Sequence, residues 1–315
     1  MNSSILSIKS TLKFSLIYAL FIVCFVLGSM TLIGEMPTDI VSEPGLMPAA
    51  SGFLLIAFID TLIICALILA SRYGGLKHAI ILAFSYYGAV TFVMQIETWY
   101  FLSSINISLQ LLSRIFVMGI PTAFILIPFA VWILGRGNAA LPGTSDPVSR
   151  IPIQQYIWKF LVAAIIYLIL YLLAGYFIAW QNPEVRAFYG RPGEPLPFLS
   201  HIVDTLHNDP LFFPFQLFRG CIWALCALPI IRGSNINPWG TALLVGLFLS
   251  LPQNLVHLLE NPLMPIASVR FSHLIETIPS TFIFGVIAVW LFHRKHHSFR
   301  DLAGIPRRSS ECTAA

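Results

Sequence analysis

The stretch from His257 to Glu276 reads HLLENPLMPIASVRFSHLIE and carries the word H-L-x-E twice, at 257–260 and 273–276. On a helix, an H-x-x-E spacing puts imidazole and carboxylate on one face. Two such pairs can relay protons, hold a charged solute or offer a metal two nitrogens and two oxygens. In a helix over 239–262, Gln253, Asn254, His257, Glu260 and Asn261 fall within about 120° at 3.6 residues per turn. Arg270, His273, Glu276, Thr277 and Ser280 form an equivalent stripe on the next helix. An antiparallel hairpin folded about position 265 sets His257 opposite His273, Glu260 opposite Arg270, and Asn254 opposite Glu276. Asp60 and Arg219 each lie about eight residues, or about 12 Å, into a hydrophobic run, and are expected to pair at the same depth. Gln95, Glu97 and Arg114 make a thinner cluster upstream.

Three functions fit this pattern. In the first, His257, His273, Glu276, Asn254, Asp60 and Arg219 bind or pass a small solute or ion, since ionisable groups in lipid are costly and mark pathways. Pro121 and Pro279 interrupt backbone bonding halfway along two spans, which suits hinges or exposed carbonyls. In the second, His257, Glu260, His273 and Glu276 are metal ligands of an intramembrane enzyme. Their order is the reverse of the Glu-x-x-His of helical di-metal sites, and the zincin word H-E-x-x-H is absent. In the third, Glu260–Arg270, Glu97–Arg114 and Asp60–Arg219 are ion pairs in a structural subunit or scaffold. Solute or ion binding, in the manner of a transporter, is the preferred reading; the sequence names no catalytic residue, substrate or cofactor.

The elements that position these residues follow from composition. The 315-residue chain is 57% hydrophobic and 10% charged, against about 25% charged in soluble domains, so most of it is not solvated by water. A bilayer-spanning helix needs about 20 apolar residues. Eight stretches qualify: 14–34, 52–71, 79–102, 109–134, 157–180, 211–231, 239–262 and 269–292. The fold class is all-α: a polytopic membrane protein of eight transmembrane helices, with the lipid bilayer as its first partner. Basic residues recur at alternate junctions (Lys9 and Lys13, Arg72 and Lys77, Arg136 and Arg150, Arg232, Arg294 and Lys295). That pattern predicts both termini in the cytoplasm, and the lack of large soluble regions suggests a bacterial inner membrane. The net charge of +4 follows from this bias, and no basic–aromatic groove calls for nucleic acid.

The first span is too long for a signal-peptide core and is expected to stay in the mature protein. Four of the five cysteines lie in spans as packing residues, and the terminal Cys312-Thr-Ala-Ala is a chance match to a prenylation box.

The chain also repeats itself. Ile120 to Arg136 (IPTAFILIPFAVWILGR) and Ile278 to Arg294 (IPSTFIFGVIAVWLFHR) share eight of seventeen residues. Cys65-Ala-Leu answers Cys226-Ala-Leu, and Glu97 answers Glu260. These matches fall in order, predicting a tandem, parallel duplication of a four-helix unit. The first unit occupies 1–136 and the second 157–294, joined by a cytoplasmic linker at 137–156 and followed by a tail at 295–315. A proline-rich external loop at 181–210 is either a lid or a solvated connector, with an amphipathic helix from Phe198 to His207.

Overall fold

The computed structural model describes residues 2–36, 40–102, 107–137, 151–296 and 299–302. Asp39, Arg150, most of the 137–156 linker and the terminal Cys312-Thr-Ala-Ala lie outside them.

Seven helices among the described residues are long and apolar enough to cross a membrane. They are α1 (Ile8–Leu32), α2 (Ala49–Leu69), α3 (Gly75–Tyr100), α4 (Leu109–Ile133), α5 (Ile153–Gln181), α8 (Phe212–Gly233) and α10 (Ala267–Phe292). Two short helices, α6 (Pro183–Phe188) and α7 (Phe198–Asn208), lie between α5 and α8. The spanning helices run 21 to 29 residues. At about 1.5 Å per residue each exceeds the roughly 30 Å hydrocarbon core. Leu12, Leu16, Val23, Leu62, Ile157 and Leu161 are exposed on their outer faces. The protein is a multi-pass, all-helical integral membrane protein.

The seventh predicted span departs from this pattern. It is not a continuous helix over 239–262: α9 (Pro238–Ser250) stops after 13 residues. Irregular backbone follows, with a single 3-10 turn at Leu255–Leu258. Pro252 has no N–H to donate, yet Pro229 and Pro279 sit inside unbroken helices, so proline alone does not end α9. The two residues after it do. The Gln253 amide nitrogen donates to the Leu249 carbonyl and that of Asn254 to Ser250 O at 2.7 Å. These side chains occupy the acceptors that the backbone N–H groups of a continuing helix would use. The polar stripe expected on span seven is therefore carried by loop and 3-10 backbone.

Two spans are distorted without breaking. Both α3 and α4 contain five-residue π-segments, at Gly88–Phe92 and Thr122–Leu126. The second begins directly after Pro121, whose missing N–H displaces the bonding register.

Helices meet through small residues, as they must where lipid supplies no driving force of its own. A Cβ on Gly285 of α10 would stand 2.7 Å from the Gly246 Cα of α9. A Cβ on Gly28 of α1 would stand 2.1 Å from the Met118 carbonyl oxygen of α4. Large apolar side chains, among them Trp223, Ile64, Phe248 and Phe284, fill the interior.

At the end of the bundle holding the termini, the α2–α3 and α8–α9 junctions are tied together. Arg72 N donates to Gly233 O and Asn235 N to Ala70 O, both at 2.7 Å, about a Ser71–Ser234 bridge. At the far end, Glu43 N donates to Pro265 O at 2.9 Å and Met47 N to Leu258 O at 3.1 Å.

Candidate functional site

A cavity of about 800 Å³ occupies the far half of the bundle, large enough for a small organic ligand. Its apolar wall includes Phe21, Phe25, Phe53 and Trp223. Its polar wall is assembled from α2, α3, α8, α10 and the irregular stretch after α9. The segment expected at 181–210 lines the cavity through both of its short helices, including Val185, Phe188, His201 and Thr205. That segment is pinned by an Arg191–Asp204 ion pair at 3.0 Å and by a hydrogen bond from the Tyr100 hydroxyl to Asp209. His201 lies tilted against Tyr176 and Trp180, with ring centroids 5.5 and 5.3 Å away. Burial, more than its charged neighbours, lowers its pKa below the usual imidazole value.

On α10, His273 Nδ1 stands 3.2 Å from Glu276 Oε2, one helical turn away. Its Nε2 stands 3.2 Å from the Tyr189 hydroxyl, which follows α6. A carboxylate partner favours the Nδ1–H tautomer and leaves Nε2 to accept from the phenol. Burial first, then the Glu97 and Glu276 carboxylates, push the Tyr189 pKa up, keeping the phenol a donor. The His257 and His273 rings lie 5.9 Å apart, and His257 Nδ1 finds no partner among the described residues. The result is a continuous polar chain, Glu276–His273–Tyr189, reaching from a membrane helix to the segment between α5 and α8 that lines the cavity. Tyr189 had no spacing signal in the sequence, because it lies in a proline-rich stretch far from the H-L-x-E words.

The expected ion pairs form with different partners. Arg219 does not meet Asp60; its two terminal nitrogens each lie 2.6 Å from a Glu97 oxygen, and one donates to Gln216 Oε1 at 2.8 Å. Tyr167, Tyr171 and Phe215 surround the guanidinium at 5.7 to 5.9 Å. Arg114 pairs with Glu35 at 3.0 Å instead of Glu97. Arg270 forms no ion pair with Glu260 among the described residues. It donates to four backbone carbonyls, those of Met264, Pro265, Glu43 and Pro44, at 2.7 to 2.9 Å. Arg270 thus fastens the irregular segment to the α1–α2 connection, while Glu260 is exposed. Asp60 is buried on the cavity wall, and its Oδ1 accepts nothing from the described residues. Asn254 makes no hydrogen bond with Glu276 among the described residues; its nitrogen donates to Ser250 O.

Among the described residues, no three His, Cys, Asp or Glu side chains are grouped to hold a metal ion. His257, Glu260, His273 and Glu276 thus share a cavity without forming a ligand shell.

Compared with family models, curated proteins and solved structures, the chain matches none of them.

Proposed function

We propose that this protein binds a small solute or ion in the far-end cavity and passes it across the membrane, with Glu276, His273 and Tyr189 as the polar path. The observation that carries this reading is the interruption of the chain after α9. Backbone that leaves helical geometry at membrane depth is tolerated only where it is buried in protein or lines a watered cavity. Carriers place such breaks at their binding sites. Here residues 252–254, 256–257 and 259–264 all line the cavity.

The proposal includes eight crossings, the seventh made of α9 and the irregular residues 251–266, with both termini in the cytoplasm of a bacterial inner membrane. Supporting that orientation, Lys13, Arg72, Arg136, Arg232 and Arg294 all fall at the termini end of the helices. It also includes the tandem duplication. Three equivalences support it at one constant separation of 163 residues: Ser71 with Ser234, Gly75 with Pro238, and Tyr87 with Ser250. The first pair is a symmetric bridge, and the other two bound 13-residue helices that both leave α geometry at the next residue.

The experiment uses a variant without native cysteines, reconstituted in liposomes, with Thr277→Cys as reporter. A membrane-impermeant methanethiosulfonate reagent is expected to label it from the far-end face, because Thr277 lines the cavity. Pyranine trapped inside the same liposomes reads proton entry under an imposed gradient, which E276Q is expected to reduce to the rate of protein-free vesicles. No labelling from either face overturns the chamber; equal proton entry in E276Q overturns the path.

A further inference from the structure

We propose that Asp60, Gln253 and Asn254 form a binding site for a partly hydrated monovalent cation, distinct from the Glu276–His273–Tyr189 path; the inference rests on reading the interior as a ligand chamber. Three buried oxygens carry it. Asp60 Oδ1, Gln253 Oε1 and Asn254 Oδ1 accept no hydrogen bond from the described residues. Their side chains belong to residues only 3%, 6% and 1% exposed, and all three line the cavity. Buried polar atoms are rarely left so, because each unmet acceptor costs free energy.

The amides cannot turn to remedy this. Both nitrogens are held by carbonyls at the end of α9, those of Leu249 and Ser250, so rotating either amide forfeits a bond already made. The oxygens therefore point away from the helix end as fixed acceptors. Among the described residues Asp60 has no ion-pair partner either, since Arg219 gives its terminal nitrogens to Glu97 and Gln216.

Counting residues places Asp60 and Asn254 at similar depth. Helix α2 packs against α9 and against the 3-10 turn, and a Cβ on Gly52 would touch the Leu259 side chain at 2.4 Å. Asp60 lies eight residues deeper than Gly52, about 12 Å at 1.5 Å per residue. From Leu259 back to Asn254 the chain descends about 10 Å at the 2.0 Å rise of a 3-10 turn. The negative end of the α9 dipole lies at the same level and favours a cation.

The donor set selects the charge of the occupant. All three donors are oxygens, which suits hard cations and N–H donors. One carboxylate neutralises one positive charge. A divalent ion would keep an unbalanced charge in a low-dielectric interior. An alkali ion and the ammonium head of a solute share this chemistry.

The test is thermal unfolding of the purified full chain in micelles at constant ionic strength, exchanging choline chloride for NaCl, KCl or ethylammonium chloride. The wild-type midpoint is expected to rise saturably by several degrees with at least one of the three, and D60N to show no such rise. A response to NaCl or KCl identifies an alkali ion; one to ethylammonium alone identifies an amine-headed solute. No cation-specific rise in the wild type, or an equal rise in D60N, overturns the proposal. Should D60N not fold, N254A takes its place, with half-saturation expected to move up about tenfold; an unchanged value overturns the site. The Thr277→Cys labelling does not depend on the cation, so failure of this site leaves the chamber reading independently judged.

Discussion

Replacing Arg219 with methionine tests what clamps α8 to α3 across the cavity. Arg219 is 2% exposed, while Glu97 keeps 22% exposure, and the pair is bidentate with both contacts at 2.6 Å. Methionine retains the apolar bulk but strands Glu97. Breaking a buried pair from one side costs about 3–5 kcal/mol, and Glu97's residual exposure puts R219M near the lower end. E97L is the harsher change, because it strands a guanidinium that cannot deprotonate; the upper end applies. The double variant R219M/E97L removes both charges together and should cost no more than about 2 kcal/mol. With the singles near about 3 and about 5 kcal/mol and the double near about 2, the expected coupling is about 6 kcal/mol, above the ~0.5–3 kcal/mol usual between neighbouring residues. Denaturant titration in mixed micelles, followed by near-ultraviolet circular dichroism, measures all four corners of the cycle. If either single variant cost less than about 1 kcal/mol and the effects simply added, the pair would be no clamp and the electrostatic argument would fail.

Two further expectations concern the opposite end and the helix packing. His296 is buried against α5, and burial first, then Lys159 and Arg294, lower its pKa from 6.5 to about 4. The unfolded chain thus binds this proton before the folded one, so stability is full above pH 6.5, falls between 6.5 and about 4, and loses nothing more to this group below that. Unfolding midpoints of wild type and H296L should diverge in that window only, and superimposable profiles would refute the assignment. On α10, G285A should cost about 1–3 kcal/mol by forcing α9 and α10 apart, since the new Cβ meets backbone at 2.7 Å. An unchanged unfolding midpoint would mean that this crossing is not the tight contact described.

Much of the helical framework was legible because lipid imposes a simple demand, a long apolar run with its backbone bonds closed internally. Hydropathy alone could not separate α9 from a full span, since residues 239–262 are apolar enough to qualify. What ends α9 is local competition by Gln253 and Asn254 for carbonyls, and the Leu251-Pro252-Gln253-Asn254 run was the available sign. The ion pairs were misassigned for another reason. Counting residues gives the depth of Asp60, Glu97, Arg114 and Arg219 but not the rotation of each helix about its axis. That rotation is set by close contacts such as Gly28 with Met118 and Gly220 with Ala164, so Arg219 met Glu97 and Arg114 met Glu35. Arg270 was hardest to read, because all four of its partners are backbone.

Within the proposed duplication, the two halves differ where the ligand chemistry lies. Residues 163 positions before Pro252, Gln253 and Asn254 are Ala89, Val90 and Thr91. With an N–H available and no amide side chains to compete, α3 passes this point as a π-segment, whereas α9 ends. At the separation of 158 that relates α4 to α10, Met118 answers Glu276 and Gly119 answers Thr277. Gly28 of α1 lies against the Met118 backbone, and Gly175 of α5 lies against the Glu276 carboxylate. On that alignment the second half carries polar groups where the first carries Met118 and Gly119. Yet neither polar cluster is complete within it. Glu97 from the first half binds Arg219 from the second, and Asp60 from the first half lines the same cavity as Gln253 and Asn254 from the second. A displacement of one half against the other would open both clusters together, so cation occupancy at Asp60 and the Glu97–Arg219 clamp should respond to the same motion.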